Sequence, residues 1–166
     1  MQATSRYGMA MIEVRKAHQG DEEGVRACLE NAFEPFRSEY TSGAFKDTVP
    51  TLETIGERMR QMTVYVAVTA TGEIIGTLAV ASLGTEGHLR GMAVQPAWQG
   101  RSVAEMLLIQ AERDLRATGC VLLTLDTTAP LRRAISFYQR HGFSSSGKVD
   151  DFFGMLLYEY SKQLGR

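Results

Sequence analysis

The sequence predicts one mixed α/β domain over residues 11–166, built on a central, mixed but mostly antiparallel sheet flanked by helices, with a flexible N-terminal arm over residues 1–10. Three observations predict it. Residues 87–120 read as a strand, a short loop of small residues and one long helix. Residues 64–94 form three apolar or alternating stretches joined by tight turns, an antiparallel meander. Helical and strand periods then alternate to the end, which gives the order β-α-α-β-β-β-α-β-α-β-β without repeat, linker or low-complexity tract.

Each element has a local cause. Ile12 to Ala17 alternates and is a first strand. Asp21 caps a helix to about Phe33, with Val25, Cys28, Leu29 and Ala32 on one face. Residues 33–50 are a long aromatic loop punctuated by Pro35, Gly43 and Pro50, of the kind that carries function in compact domains. Thr51 begins a second helix, with Leu52, Ile55 and Met59 inward. Val64 to Val68 and Glu73 to Leu83 pair across the Thr71-Gly72 turn. The next strand carries Leu89, Met92 and Val94, whose spacing breaks period two. A bulge near Arg90-Gly91 restores all three to one face. Pro96 ends that strand. From Val103 the apolar set Val103, Met106, Leu107, Ile109, Ala111 and Leu115 has helical spacing, Glu105, Glu112, Arg113, Asp114 and Arg116 take the other face, and Gly119 stops the helix. Val121 to Asp126 is a parallel strand, and Pro130 opens a helix through His141. Phe143 to Lys148 and Phe153 to Tyr160 are the last strands, about an Asp150-Asp151 turn.

Composition narrows the function classes. A formal net charge of -1 over 166 residues argues for neither a nucleic-acid partner nor a membrane surface. Two cysteines, Cys28 and Cys120, make neither a disulfide framework nor a zinc site, and no metal is expected. No apolar run is long enough to span a bilayer and the N-terminus has no signal-peptide pattern, so a reducing cytoplasm is the expected location.

The small-residue loop before the long helix suits an anion, because unpaired N–H groups and the helix dipole gather there. It contains neither a P-loop nor a G-x-G-x-x-G fingerprint. Val94, Pro96, Gln99 and Ala104 instead stand as in V-x-P-x-x-[QR]-x-x-G-x-[GA], and the stretch resembles the acyl-coenzyme A signature of the GNAT superfamily of N-acetyltransferases. Ser102 replaces the usual central glycine; with a helical φ its N–H still faces a phosphate. Residues 134–143, AISFYQRHGF, resemble a second signature of that family, A-[IR]-x-[FL]-Y-x-[KR]-x-G-F. Leu131 departs from the asparagine that many members carry.

The resemblance implies an acetyl-CoA-dependent N-acetyltransferase acting on a primary amine by direct attack in a ternary complex, with acetyl-CoA as co-substrate. A non-catalytic acyl-CoA-binding domain on the same fold is the alternative. Coenzyme contacts are expected at Met92, Ala93, Val94, Gln99, Gly100, Arg101, Ser102, Val103, Ala104, Thr127 and Tyr138. Tyr138 stands at the family's general acid, and the Val94 N–H at its carbonyl-polarising position. The base falls to Glu86 or His88, just before the bulge. Asp126, at a strand's C-terminal end, stands where ligand contacts are common. Glu34, Glu39 and Tyr40 of the aromatic loop are expected to hold the acceptor amine. The acceptor, small-molecule amine or peptide N-terminus, stays open, as does a homodimer through the last strands.

Overall fold

The structure, a computed structural model, describes residues 4–7 and 10–165. Its strands are β1 (Thr4–Tyr7), β2 (Ala10–Lys16), β3 (Thr63–Thr69), β4 (Ile74–Leu83), β5 (Glu86–Val94), β6 (Leu122–Thr127), β7 (Ser144–Phe152) and β8 (Met155–Gln163). Its helices are α1 (Glu22–Phe33), α2 (Ser42–Thr48), α3 (Leu52–Gln61), α4 (Val103–Ala117) and α5 (Arg132–Arg140), with 3-10 turns at Glu34–Glu39 and Pro96–Trp98. The strands form one sheet in the order β1-β2-β3-β4-β5-β6-β8-β7. Among these neighbours only β5 and β6 run parallel. No helix among the described residues is long and apolar enough to cross a membrane.

Both faces of the sheet are covered, which is why β3 and β4 read as nearly continuous apolar runs. On one face Val64, Val66, Ala79 and Ala93 pack with Val25, Leu29 and Ile55 of α1 and α3. On the other, Leu78, Val80, Leu89, Leu123 and Leu125 pack with Val103, Leu107, Leu108 and Leu115 of α4 and with Tyr138 of α5. Cys28 and Cys120 are buried free thiols, and burial pushes Cys28 up to about 12, so it is inert at neutral pH.

Several expectations change. Within the expected arm, Thr4–Tyr7 pair with β2, whose open edge offers free N–H and C=O groups to β-favouring residues; residues 1–3, 8, 9 and 166 lie outside the described residues. The aromatic loop folds into the 3-10 turn and α2, whose Thr41 cap accepts the Ala44 N–H. On α4, Leu108 points inward and Ile109 outward. Glu112 is buried rather than solvated, because Lys162 on β8 reaches it at 2.5 Å. The last hairpin turns at Phe153-Gly154, not at Asp150-Asp151, which lie within β7. Both turn residues have positive φ, 52° and 87°, the conformation a two-residue hairpin needs, so Gly154 marks the turn.

The decisive local feature is in β5. Thr77 opposes Ala93 and Ala79 opposes Arg90, so Gly91 and Met92 together face Leu78 in a bulge. Gly91 sits at φ +63°, which costs other L-residues strain. The extra residue turns Leu89, Met92 and Val94 toward α4 and Ala93 toward α1. Pairing of β5 with β6 runs from Glu86–Leu122 to Leu89–Leu125 and stops there. Beyond it the two strands continue as separate walls.

Gly91→Ala should fold with stability lowered by about 1–2 kcal/mol, the cost of a left-handed L-residue. A Cβ at Gly91 meets nothing nearer than 3.9 Å, so no clash adds to that cost. Denaturant unfolding checks it, with a lower midpoint at unchanged slope as the expected result.

Candidate active site

A cavity of about 490 Å³ fills the opening between β5 and β6. Its walls come from both faces of the sheet: Val103, Ala104, Ala134 and Tyr138 on one, Ala32, Phe33, Phe36, Arg90 and Asp126 on the other. It therefore runs through the sheet, with one mouth at the start of α4 and the other at α1 and the 3-10 turn.

The α4 side is made for an extended anionic ligand. The Gln95 N–H bonds the Ile75 carbonyl, so Val94, one residue earlier in an antiparallel pair, turns its own N–H and C=O away from β4 and toward the gap. The Val94 carbonyl takes the Gln99 side-chain amide at 3.1 Å. Gly100 and Ser102 both have positive φ, 77° and 63°, and the first intrahelical bond of α4 runs from the Met106 N–H to the Ser102 carbonyl. The N–H groups of the first turn are thus free to meet an anion. Ser102 is a left-handed cap and not the helical residue the sequence suggests. Arg133, which donates to Gln99 Oε1 at 3.4 Å, and Arg140 bring positive charge to this mouth. Of the expected coenzyme residues, all but Arg101 line the cavity; Arg101 lies over the Trp98 ring, 5.3 Å from its centroid.

Tyr138 lines the passage on its α4 side. It is 7 % exposed, packs edge-on against Phe137 and Phe143, and its hydroxyl has no hydrogen-bond partner among the described residues. Burial holds its pKa above the ordinary phenol value, so it is a proton donor at neutral pH.

On the opposite side the two residues expected as bases lie outside the cavity. His88 sits behind Asp126, with Nε2 3.4 Å from Oδ2 and Nδ1 2.8 Å from Thr124 Oγ1. Thr124 donates on to Glu86 at 3.4 Å. Two carboxylates stand in the cavity wall, Glu105 on the α4 side, 3.9 Å from His141 Nε2, and Asp126 on the α1 side. Burial raises the pKa of Asp126, with His88 pulling it down and Glu159 pushing it further up. The register explains this arrangement. Leu89 and Leu125 point toward α4, so the residues beside them in sequence, His88, Arg90, Thr124 and Asp126, share the α1 face. The aromatic loop contributes different residues from those expected. Phe33 and Phe36 line the cavity, whereas Glu34 pairs with Arg37 at 2.8 Å and the Tyr40 hydroxyl meets Thr128 Oγ1 at 2.7 Å. Alternation with Leu89 gives Arg90 its face, but that Arg90 meets the cavity depends on where the β5–β6 pairing stops.

The profile of the acetyltransferase (GNAT) family matches residues 25–143, from α1 to the end of the second signature. The chain belongs to this family. An IAA acetyltransferase of Azospirillum brasilense is 32% identical over 72 residues, 43% of this chain and 47% of that protein, so the match spans about half the relative's length. The PaiA N-acetyltransferase of Thermoplasma acidophilum, solved with coenzyme A, superposes with a TM-score of 0.80 at 17% identity, over 92% of this chain and 98% of that one. The ribosomal-protein-S18-alanine N-acetyltransferase of Escherichia coli superposes at 0.75 with 15% identity, over 94% and 96%. At such identities these structures share the GNAT fold. Coenzyme A fits the GNAT cavity here on three grounds: a strand edge open at Val94, a left-handed small-residue turn before α4, and two arginines at the mouth.

Ser102→Gly should stabilise the protein. Relief of left-handed strain, about 1–2 kcal/mol, exceeds the extra chain entropy of glycine, about 0.5–1 kcal/mol. Unfolding should shift to higher denaturant by an amount worth up to about 1.5 kcal/mol, the largest difference of those two terms. Coenzyme A affinity by calorimetry should hold or improve, since no atom that faces the phosphates is removed.

Proposed function

We propose that this chain transfers the acetyl group of acetyl-CoA to a primary amine, by direct attack in a ternary complex. The observation that carries the reading is the single passage through the sheet, which lets a thioester enter from the α4 side and an amine from the α1 side. The amine nitrogen attacks the thioester carbonyl carbon, a C–N bond forms and the C–S bond breaks. The Val94 N–H supports the developing oxyanion. Asp126 takes the proton the nitrogen sheds, and Tyr138 supplies one to the departing thiolate. His88 is a positioning residue in this scheme. It hydrogen-bonds Thr124 and steadies the Asp126 carboxylate, while Glu86 lies at the outer end of the same chain of contacts.

The reading is tested by following thiol release from acetyl-CoA across a set of amines, with mass spectrometry of the products. No release with any amine, although coenzyme A binds, would sink it. Tyr138→Phe should keep fold and coenzyme affinity and lower kcat by about 10- to 100-fold, the low part of the range for general acids because a thiol leaves readily. Full turnover in that variant would withdraw the acid role.

Asp126→Asn should lower kcat by about 10²-fold or more. The wild-type rate should fall on acidification through a pKa above the ordinary aspartate value, because burial raises that of Asp126 and only its ionised form accepts a proton. The asparagine variant should lose this limb in a pH–rate profile, leaving only the titration of the amine.

A further inference from the structure

The α1-side mouth holds two opposite charges at matched positions. Leu89 and Leu125 are the last paired residues of the parallel strands, so Arg90 and Asp126 are the next residue on each wall, on the same face, where the sheet parts. Among the described residues no ion pair joins them. Asp126 contacts His88, and Arg90 reaches Asp47 Oδ2 at 3.4 Å. Asp47 is shared, since its carbonyl also accepts from Arg58 Nη2 at 3.2 Å. Two guanidinium groups beside one carboxylate leave a net positive charge next to the bulge. The proximity of Arg90, after burial, lowers the pKa of Arg58. Phe33 and Phe36 supply an apolar stretch of the cavity wall on this side.

We infer that the acceptor is an aminocarboxylate with an apolar side chain, a free amino acid or close analogue, and not a peptide N-terminus or a simple amine. Its amine faces Asp126 and its carboxylate faces Arg90, while the side chain lies on Phe33 and Phe36. The inference rests on the proposed acetyl transfer and names the acceptor of that same site. A guanidinium facing a carboxylate makes a charge-assisted hydrogen bond that an amide carbonyl makes more weakly. Polar groups left without their partner turn that difference into discrimination. Proton and bond changes are those already given: C–N forms, C–S breaks, one proton goes to Asp126 and one comes from Tyr138.

The test compares kcat/KM for acetyl-CoA-dependent thiol release between L-phenylalanine and L-phenylalaninamide, L-leucine and L-leucinamide, and phenethylamine, with coenzyme A affinity measured in parallel by calorimetry. The amide's amine is less basic and more often neutral, so amine reactivity by itself favours the amide. The aminocarboxylates should nonetheless lead by about 10- to 100-fold, the value of one charged hydrogen bond. In Arg90→Gln the ratio of acid to amide should collapse toward one, through KM of the acid. Arg90→Lys should restore part of it. Amides or phenethylamine turned over as well as the acids in the wild type, or an acid preference that survives Arg90→Gln, would overturn the aminocarboxylate and leave acetyl transfer standing. Coenzyme A binding without thiol release from any acceptor would overturn both.

Discussion

The parting of β5 from β6 beyond Leu89 and Leu125 is the constraint on which the site depends. An open parallel pair in the middle of a sheet leaves backbone groups without ladder partners, which is unfavourable unless something else meets them. Here the bulge at Gly91 re-aims the strand, the Gln99 side chain takes the Val94 carbonyl, and the rest of the edge faces a cavity that an extended ligand can enter as an added strand. Were the two strands paired to their ends, Arg90, Asp126 and the Val94 N–H would belong to a closed sheet with no passage between its faces.

Holding the walls apart requires that each be fixed from outside the gap. On the β5 side, β4 pairs on both sides of the bulge, and α1 packs against it through Leu29. On the β6 side, β8 pairs from Leu122 to Thr127, past the point where β5 leaves. Helix α4 bridges the two. Tyr65 of β3 donates to Asp114 at 2.6 Å and Lys162 of β8 reaches buried Glu112, so the helix is tied to strands on either side of the opening. Such buried, partnered polar contacts set orientation more than they add stability. They keep the N-terminus of α4 at one mouth.

A net charge of -1 conceals a strong separation of charge across the sheet. Arg133 and Arg140 outnumber Glu105 at the mouth beside α4, where a polyanionic ligand would enter, and Asp126 stands across the sheet with His88, Glu86 and Glu159 behind it. Arg90 is the exception on that side, and Asp47 only partly offsets it and Arg58. In a low-dielectric passage these fixed charges act at greater strength than on the surface.

The sequence by itself determined the order of elements from β2 onward, α2 excepted, together with the bulge and the small-residue start of α4, because these follow from local periodicity, proline and glycine. Leu89, Met92 and Val94 break period two in a way that only an extra residue repairs, and the bulge is found at Gly91 and Met92. The match to a glycine-bearing signature singled out Ser102, yet its left-handed φ of 63° came from the fold, which requires that conformation before α4. The base could not be chosen from the sequence. Glu86, His88 and Asp126 all carry suitable chemistry, and only the end of the β5–β6 pairing decides that Asp126 meets the cavity while His88 stands behind it. The same holds for the aromatic segment, where Phe33 and Phe36 face inward and Glu34 and Tyr40 turn to Arg37 and Thr128. Local pattern specifies which face of a strand a residue takes. Which residues face one another across an opening depends on where two distant strands stop pairing, and that is a property of the assembled sheet.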